Sequence, residues 1–404
     1  MLFPARFVFS RGTIMKKINT EKLHEAVKKH AAEHIEKDHL FGTLCRVFQN
    51  GEMVYESCEG MANREKNIPL SLDSMFRMAS MTKPITAAAT LIAEQEGLLS
   101  IYDSVSKYIP EYKEVYVARR DEKGKLVRGD KADIKIYQCL NHTCGILGGF
   151  AEEINGVTYP SPGEEQWPLL TEDMRPDITT AVLNYPKFLI GYIPGTCTGY
   201  CSYAGCDICA EIIKRVSGMS FEDYVQTKIF DPLGMVNTTF TPTDEQWNRL
   251  VCLTNRNAKG IFVRDMKEHI FEFFQRSYHA AGAGLVSDIK DYTRFALMLM
   301  NWGELDGKRI LSVESIYKMK TAYVPKFTKG VSPYSSWGLG VRVTRDDPIL
   351  PDGCYGWSGA YGTHFWIDYS NNICAIYMKN SCYDGGGEAF TSREFEQDVM
   401  NSLE

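Results

Sequence analysis

Ser80-Met81-Thr82-Lys83 sets a hydroxyl nucleophile and a basic amine three residues apart. On a helix that spacing puts both side chains on one face. A lysine held in a dry pocket can lose its proton and activate a serine. The N–H groups at a helix start favour a developing oxyanion. The run that follows, rich in Ala, Ile and Leu, predicts a helix from about Met81 to Glu96, with Gly97 as its C-cap. Four residues of this pattern also describe a capping serine with a solvated lysine, so the chemistry needs support from elsewhere in the chain.

That support is a series of segments in order. Phe76-Arg77-Met78-Ala79-Ser80-Met81-Thr82-Lys83-Pro84-Ile85-Thr86 resembles the nucleophile segment of the serine β-lactamase and penicillin-binding-protein superfamily. Within it, the likeness is to class C β-lactamases and the family VIII carboxylesterases. The resemblance implies Ser80 as the acylated nucleophile and Lys83 as its proton partner. Leu140-Asn141-His142-Thr143-Cys144-Gly145-Ile146 is similar to a structural segment of the family, with Cys144 where serine is usual. His142 there reads as a hydrogen-bonded structural group rather than a base.

Pro194-Gly195-Thr196 resembles the family's turn before its tyrosine motif, Y-S-N. Four residues on stands Tyr200, followed by Cys201 and Ser202. A tyrosine beside a lysine can relay a serine proton, because a neighbouring cation favours the phenolate. One extra residue precedes the next helix, so Tyr203 is the other tyrosine in reach; spacing from the turn favours Tyr200. Asparagine is absent in either register, which puts the usual amide contact to substrate in doubt.

The family's third motif, K-T-G, corresponds to Trp357-Ser358-Gly359-Ala360. The resemblance implies that the N–H of Ala360 joins that of Ser80 in an oxyanion hole. Trp357 replaces the lysine that helps hold a β-lactam carboxylate, and offers an apolar wall instead. This departure points from lactamase to esterase. Trp357, Ser358 and Gly359, with Ser202 and Tyr203, are the expected substrate contacts. Asp231–Met235, Ala281–Ser287 and Trp337–Gly340 also resemble the family, so the likeness covers about residues 20–400.

The elements that must position these groups follow from periodicity and turn chemistry. Thr20 to about Lys37 reads as an amphipathic helix with Thr20 as N-cap, and His30 and His34 on its solvated face. Asn50-Gly51 between two β-type runs predicts a hairpin. Helices are expected over Cys206–Val216, Asp288–Asn301 and about Thr391–Leu403, and strands over Thr363–Asp368 and Ile373–Lys379. Residues 113–133 are a charge-rich surface loop or hairpin. Strands at both ends with helices between them argue for α+β. The expectation is a β-lactamase/transpeptidase-like fold: an antiparallel sheet from both chain ends, flanked by the terminal helices, with a mainly helical region inserted over about 75–240. Residues 1–19 read as an N-terminal extension and 20–404 as one catalytic unit.

The 404 residues are 44% hydrophobic, 24% charged and 12% aromatic, which excludes disordered and coiled-coil classes. Lys and Arg number 45 against 51 Asp and Glu, a net charge of −6 without a basic stripe, so nucleic acid is not an expected partner. No apolar run approaches the roughly 20 residues that cross a bilayer. No secretory core precedes Glu21, and the 12 cysteines suggest free thiols in a reducing, cytoplasmic setting. Cys197, Cys201, Cys206 and Cys209 crowd together, and read as small packing residues rather than metal ligands. No metal or organic cofactor is called for.

The expected activity is acyl transfer from a small carboxylic ester through an acyl-enzyme at Ser80. The alternatives are a β-lactamase or D-amino-acid peptidase, and a degenerate relative that only binds. The expected partner is a small ester or amide; a homo-oligomer is left open.

Overall fold

The computed structural model describes residues 16–264, 266, 278–387 and 389–404. Residues 1–15 of the expected N-terminal extension lie outside the described residues. Its centre is an eight-stranded antiparallel sheet. In chain order the strands are β1 (Gly42–Gln49), β2 (Glu52–Asn63), β3 (Ile68–Pro69), β4 (Ser335–Trp337), β5 (Arg342–Thr344), β6 (Tyr355–Ser358), β7 (His364–Asp368) and β8 (Ile373–Met378). They lie side by side in the order β4-β5-β6-β7-β8-β1-β2-β3, so the C-terminal β8 pairs with the N-terminal β1.

Strand β8, in the middle of this sheet, is apolar at every position because both its faces are covered. Along β8, Ile373, Ala375 and Tyr377 enter one cluster, and Cys374, Ile376 and Met378 enter the other. That is the period-two alternation of a pleated strand. The first cluster is closed by helix α1 (Thr20–Glu36), through Leu23 and Val27, and by the C-terminal helix α5 (Phe390–Asn401), through Phe395 and Val399. The larger cluster reaches helices α2 (Thr82–Gln95), α3 (Ala204–Ser217) and α4 (Ile289–Met300).

Local signals account for most element ends. Asn50 and Gly51 both take positive φ, 55° and 83°, which the two-residue hairpin turn demands. Asp288 caps α4 by accepting from Asp291 N–H, and Gly218 ends α3 in the left-handed region. Residues 113–133 form a hairpin of Tyr116–Arg120 and Leu126–Lys131.

Two expectations at the N-terminus are corrected. The N-cap of α1 is Asn19, whose side chain accepts from Lys22 N–H, rather than Thr20. His30 and His34 do not face open solvent: His30 Nδ1 lies 2.8 Å from Asp398 and His34 Nε2 lies 2.5 Å from Glu394, so both dock α1 onto α5. The flanking lysines concealed this, because a helix can be charged on a face that meets acids of another helix. No helix among the described residues is long and apolar enough to cross a membrane.

Candidate active site

Ser80 sits in a single turn, Ala79–Met81, that leads directly into α2. Ala79 takes φ 45°, a conformation that non-glycine residues seldom adopt. The turn is pinned around that bend. Thr82 Oγ1 donates to Ala79 O at 2.7 Å, Leu285 N–H donates back to Thr82 Oγ1 at 3.2 Å, and Met78 N–H donates to Leu285 O at 2.9 Å. Backbone strain held in this way is commonest at functional sites.

Lys83 is fully buried, with 0% exposure. Its Nζ donates to Ser80 Oγ at 3.1 Å, to Ser202 O at 2.7 Å and to Gly282 O at 2.8 Å. Three acceptors match the three donors of an ammonium group. Two come from the connection before α3 and from the small-residue turn before α4. A Cβ at Gly282 would stand 2.8 Å from Ser202 O and 3.3 Å from Lys83 Nζ, so glycine is what lets the two carbonyls converge.

Tyr200 brings the second polar group. Its hydroxyl donates to Ser80 Oγ at 2.7 Å and accepts from Trp357 Nε1–H at 3.3 Å. Lys83 Nζ lies 5.0 Å from the centre of its ring. The ring is walled by His142 at 4.6 Å, Trp357 at 5.5 Å and Trp337 at 5.7 Å between centroids. His142 Nδ1 accepts from Cys201 N–H at 3.1 Å. Burial, and then the Lys83 charge, push His142 well below the usual imidazole range, so it is a neutral wall and not a base.

Tyr203 points elsewhere. It stacks on Trp167 at 6.1 Å and lines a second cavity of about 280 Å³ with Ile146, Leu147 and Tyr185. Burial raises its hydroxyl far above the ordinary phenol range. Ser202 contributes its carbonyl to Lys83 and lines this same cavity.

Trp357, Ser358 and Ala360 border a cavity of about 310 Å³ that also includes Ser80 and Tyr200. Gly359 lets that edge approach the serine turn closely: a Cβ there would collide with Met78 O and Thr363 Oγ1. Thr363 Oγ1 donates to Met78 O at 3.1 Å, tying the end of β6 to the serine turn.

The cysteines are all free thiols. Cys206 and Cys209 lie buried in α3, and the Cys201 sulfur accepts from Gly205 N–H at 3.3 Å. Among the described residues no group of three or more His, Cys, Asp or Glu could hold a metal ion.

Several groups around the site are not singled out as site residues by the sequence. Trp337 and Arg342 border the serine cavity from β4 and β5. Asp207, buried in α3, accepts from Ala281 N–H at 2.9 Å and from Tyr278 Oη at 2.6 Å, so it aims the turn that supplies Gly282 O. Behind Ser358, His364 Nδ1 lies 2.7 Å from Ser358 Oγ and His364 Nε2 lies 2.9 Å from Glu396.

A family model described as Beta-lactamase matches residues 27–394. The chain belongs to the β-lactamase family. It is similar to an uncharacterised protein of Mycobacterium tuberculosis, 29% identical over 363 residues, covering 85% of this chain and 87% of that protein. Esterase EstB of Burkholderia gladioli is 24% identical over 369 residues, covering 86% and 87%. Among solved structures, EstCE1, a hydrolase with promiscuous acyltransferase activity, superposes with a TM-score of 0.75 at 21% identity, covering 95% of this chain and 98% of that one. As a member of the β-lactamase family with this α+β fold, the chain is a serine hydrolase.

Proposed function

We propose that the protein hydrolyses small carboxylic esters through an acyl-enzyme on Ser80. The observation that carries this reading is that Lys83 and Tyr200 converge on one serine oxygen while the Trp357 indole meets Tyr200 from the strand side, where the Arg342 guanidinium is already paired with Glu396. In the proposed reaction the Tyr200–Lys83 pair has first released one proton to solvent, so that Ser80 Oγ attacks the ester carbonyl as its own proton passes to the pair. The N–H groups of Ser80 and Ala360 hold the oxyanion. The carbon–oxygen bond to the alcohol then breaks, and the pair returns the proton to the leaving alcohol. Water enters along the same path and releases the acid.

The similarity to an esterase supports the ester over the amide, as does the indole at Trp357. The substrate is a small molecule, with neither nucleic acid nor membrane as partner. A cytoplasmic location belongs to the same proposal, supported by twelve free thiols.

The test is turnover of p-nitrophenyl butyrate beside a chromogenic cephalosporin. The expected result is ester hydrolysis that Ser80→Ala lowers by at least about a thousandfold, with the cephalosporin turned over slowly. Efficient cephalosporin turnover would favour the lactamase reading. Ester hydrolysis that survives Ser80→Ala would refute the nucleophile, and inactivity on both would leave a binding relative.

A further inference from the structure

The cavity along the β6 edge is bordered by Ser358, whose hydroxyl is 2.7 Å from His364 Nδ1. The other ring nitrogen, Nε2, is 2.9 Å from Glu396 Oε1. This chain of groups is buried throughout: Ser358 is 3% exposed, His364 2% and Glu396 0%. Its charges are matched locally. Glu396 accepts from Arg342 at 3.1 Å and from Arg393, and Arg393 also donates to Asp347 at 2.8 Å. Among the described residues, the Arg342 and Arg393 guanidinium groups thus face the Glu396 and Asp347 carboxylates.

The direction of each proton follows from that arrangement. Burial opposes the charge on Glu396, but His364, Arg342 and Arg393 together hold its carboxyl below the ordinary range, so it accepts. Nε2 of His364 therefore carries the hydrogen. Burial lowers His364 in spite of Glu396, so the ring is neutral and Nδ1 has a lone pair. Ser358 must then donate its own hydrogen to Nδ1. What remains on Ser358 Oγ for the cavity is lone pairs.

We propose that Ser358, oriented by His364 and Glu396, is a specificity-determining residue that faces the cavity as a hydrogen-bond acceptor only. It selects esters whose alcohol portion carries a hydroxyl donor and discriminates against those carrying a carboxylate. The inference rests on the serine esterase reading above. The alcohol portion is assigned to this cavity, which Ser80 itself borders, and the acyl chain to the cavity beyond Tyr200, walled by Ile146, Leu147, Trp167 and Tyr203. Arg342 does not reverse the preference, since its charge is already met by Glu396.

Three butyrate esters of nearly equal size test this: 2-hydroxyethyl, propyl and carboxymethyl. The expected order of kcat/KM is hydroxyethyl above propyl by about 5- to 10-fold, with carboxymethyl below both, and the difference carried mainly by KM. In Ser358→Ala the hydroxyethyl-to-propyl ratio should fall to within about twofold. Ratios are the readout, so a general loss of activity does not obscure them. A preference for the carboxymethyl ester, or a ratio that Ser358→Ala leaves unchanged, overturns the proposal.

Imidazole nitrogen NMR supplies a check that needs no turnover. Near neutral pH it should show His364 protonated at Nε2 and bare at Nδ1; the opposite tautomer also overturns the proposal. As pH falls below the ordinary histidine range, the ring gains a proton and Ser358 is freed to donate, so the carboxymethyl ester should gain on the hydroxyethyl ester. The charged groups facing the ring in that titration are Glu396 and Arg393 on α5 and Arg342 on β5. If Ser80→Ala leaves p-nitrophenyl butyrate turnover intact, the esterase reading falls, while the tautomer still decides the polarity of Ser358.

Discussion

Lys83 and Arg342 are both cations buried near the same serine, but they are held in opposite ways. Lys83 is met by a hydroxyl and two main-chain carbonyls, from Ser202 and Gly282. Arg342 and its neighbour Arg393 are met by the carboxylates of Glu396 and Asp347. Carbonyl dipoles hold a cation without supplying a competing base. Paired charges of opposite sign lock a geometry, and breaking one partner is costly because the other is left buried and uncompensated. The helical side of the cavity is thus arranged for a proton to move, and the sheet side for a strand to stay still.

The largest expected effect breaks the first side. Lys83→Met keeps the length of the chain and removes its donors, leaving Ser202 O, Gly282 O and Ser80 Oγ without them. The expected loss in kcat is about a thousandfold, within the usual range for a positioned acid–base group. Circular dichroism should show a folded protein with a lower Tm, since two buried carbonyls lose their partner. Turnover within tenfold of the parent would mean that Tyr200 alone moves the proton.

Next comes the tyrosine pair. Tyr200→Phe should lower kcat by about a hundredfold, because its hydroxyl is 2.7 Å from Ser80 Oγ. Tyr203→Phe should stay within about threefold, because that ring stacks on Trp167 instead. The reverse ranking, measured on p-nitrophenyl butyrate, would move the relay to Tyr203 and dissolve the contrast drawn above.

The two sides also differ in how legible they were. The shared face of Ser80 and Lys83 and the helix behind them follow from local spacing, since a helix brings positions three apart together, whereas Tyr200 follows from the resemblance to the family's tyrosine motif. Both faces of β8 could be read from its unbroken apolar run. The sheet side resists such reading. Ser358, His364 and Glu396 come from β6, β7 and α5, and only strand register and helix docking bring them together. His30 and His34 failed for the same reason, because Asp398 and Glu394 are more than three hundred residues away. Trp337 was visible as part of a segment, but not as a wall of Tyr200.

The smallest expected effect sharpens the comparison at Asp207, a buried carboxylate on the helical side. Burial pushes its carboxyl up to about 6, against hydrogen bonds from Tyr278, Ala281 and Tyr185. A folded pKa above the ordinary 3.8 means that the native state holds this proton more tightly than the unfolded chain. Its stabilising contribution is therefore complete below pH 3.8 and lost as pH rises through about 6. Asp207→Asn removes that titration. The amide oxygen still accepts from Ala281 N–H, and its NH2 can donate to the tyrosine hydroxyls, so the turn that aims Gly282 O at Lys83 is kept. The variant should gain on the parent as pH rises from 4 to 7, by up to about 3 kcal/mol, with kcat/KM within about threefold. Asp291, also raised to about 6 by burial and then Asp288, is untouched and keeps part of the parent's slope. Melting curves of the two proteins across that range should diverge. Parallel curves would mean that the hydrogen bonds to Asp207 already offset its burial, and that the charge aiming the Gly282 carbonyl is as settled as those on the sheet side.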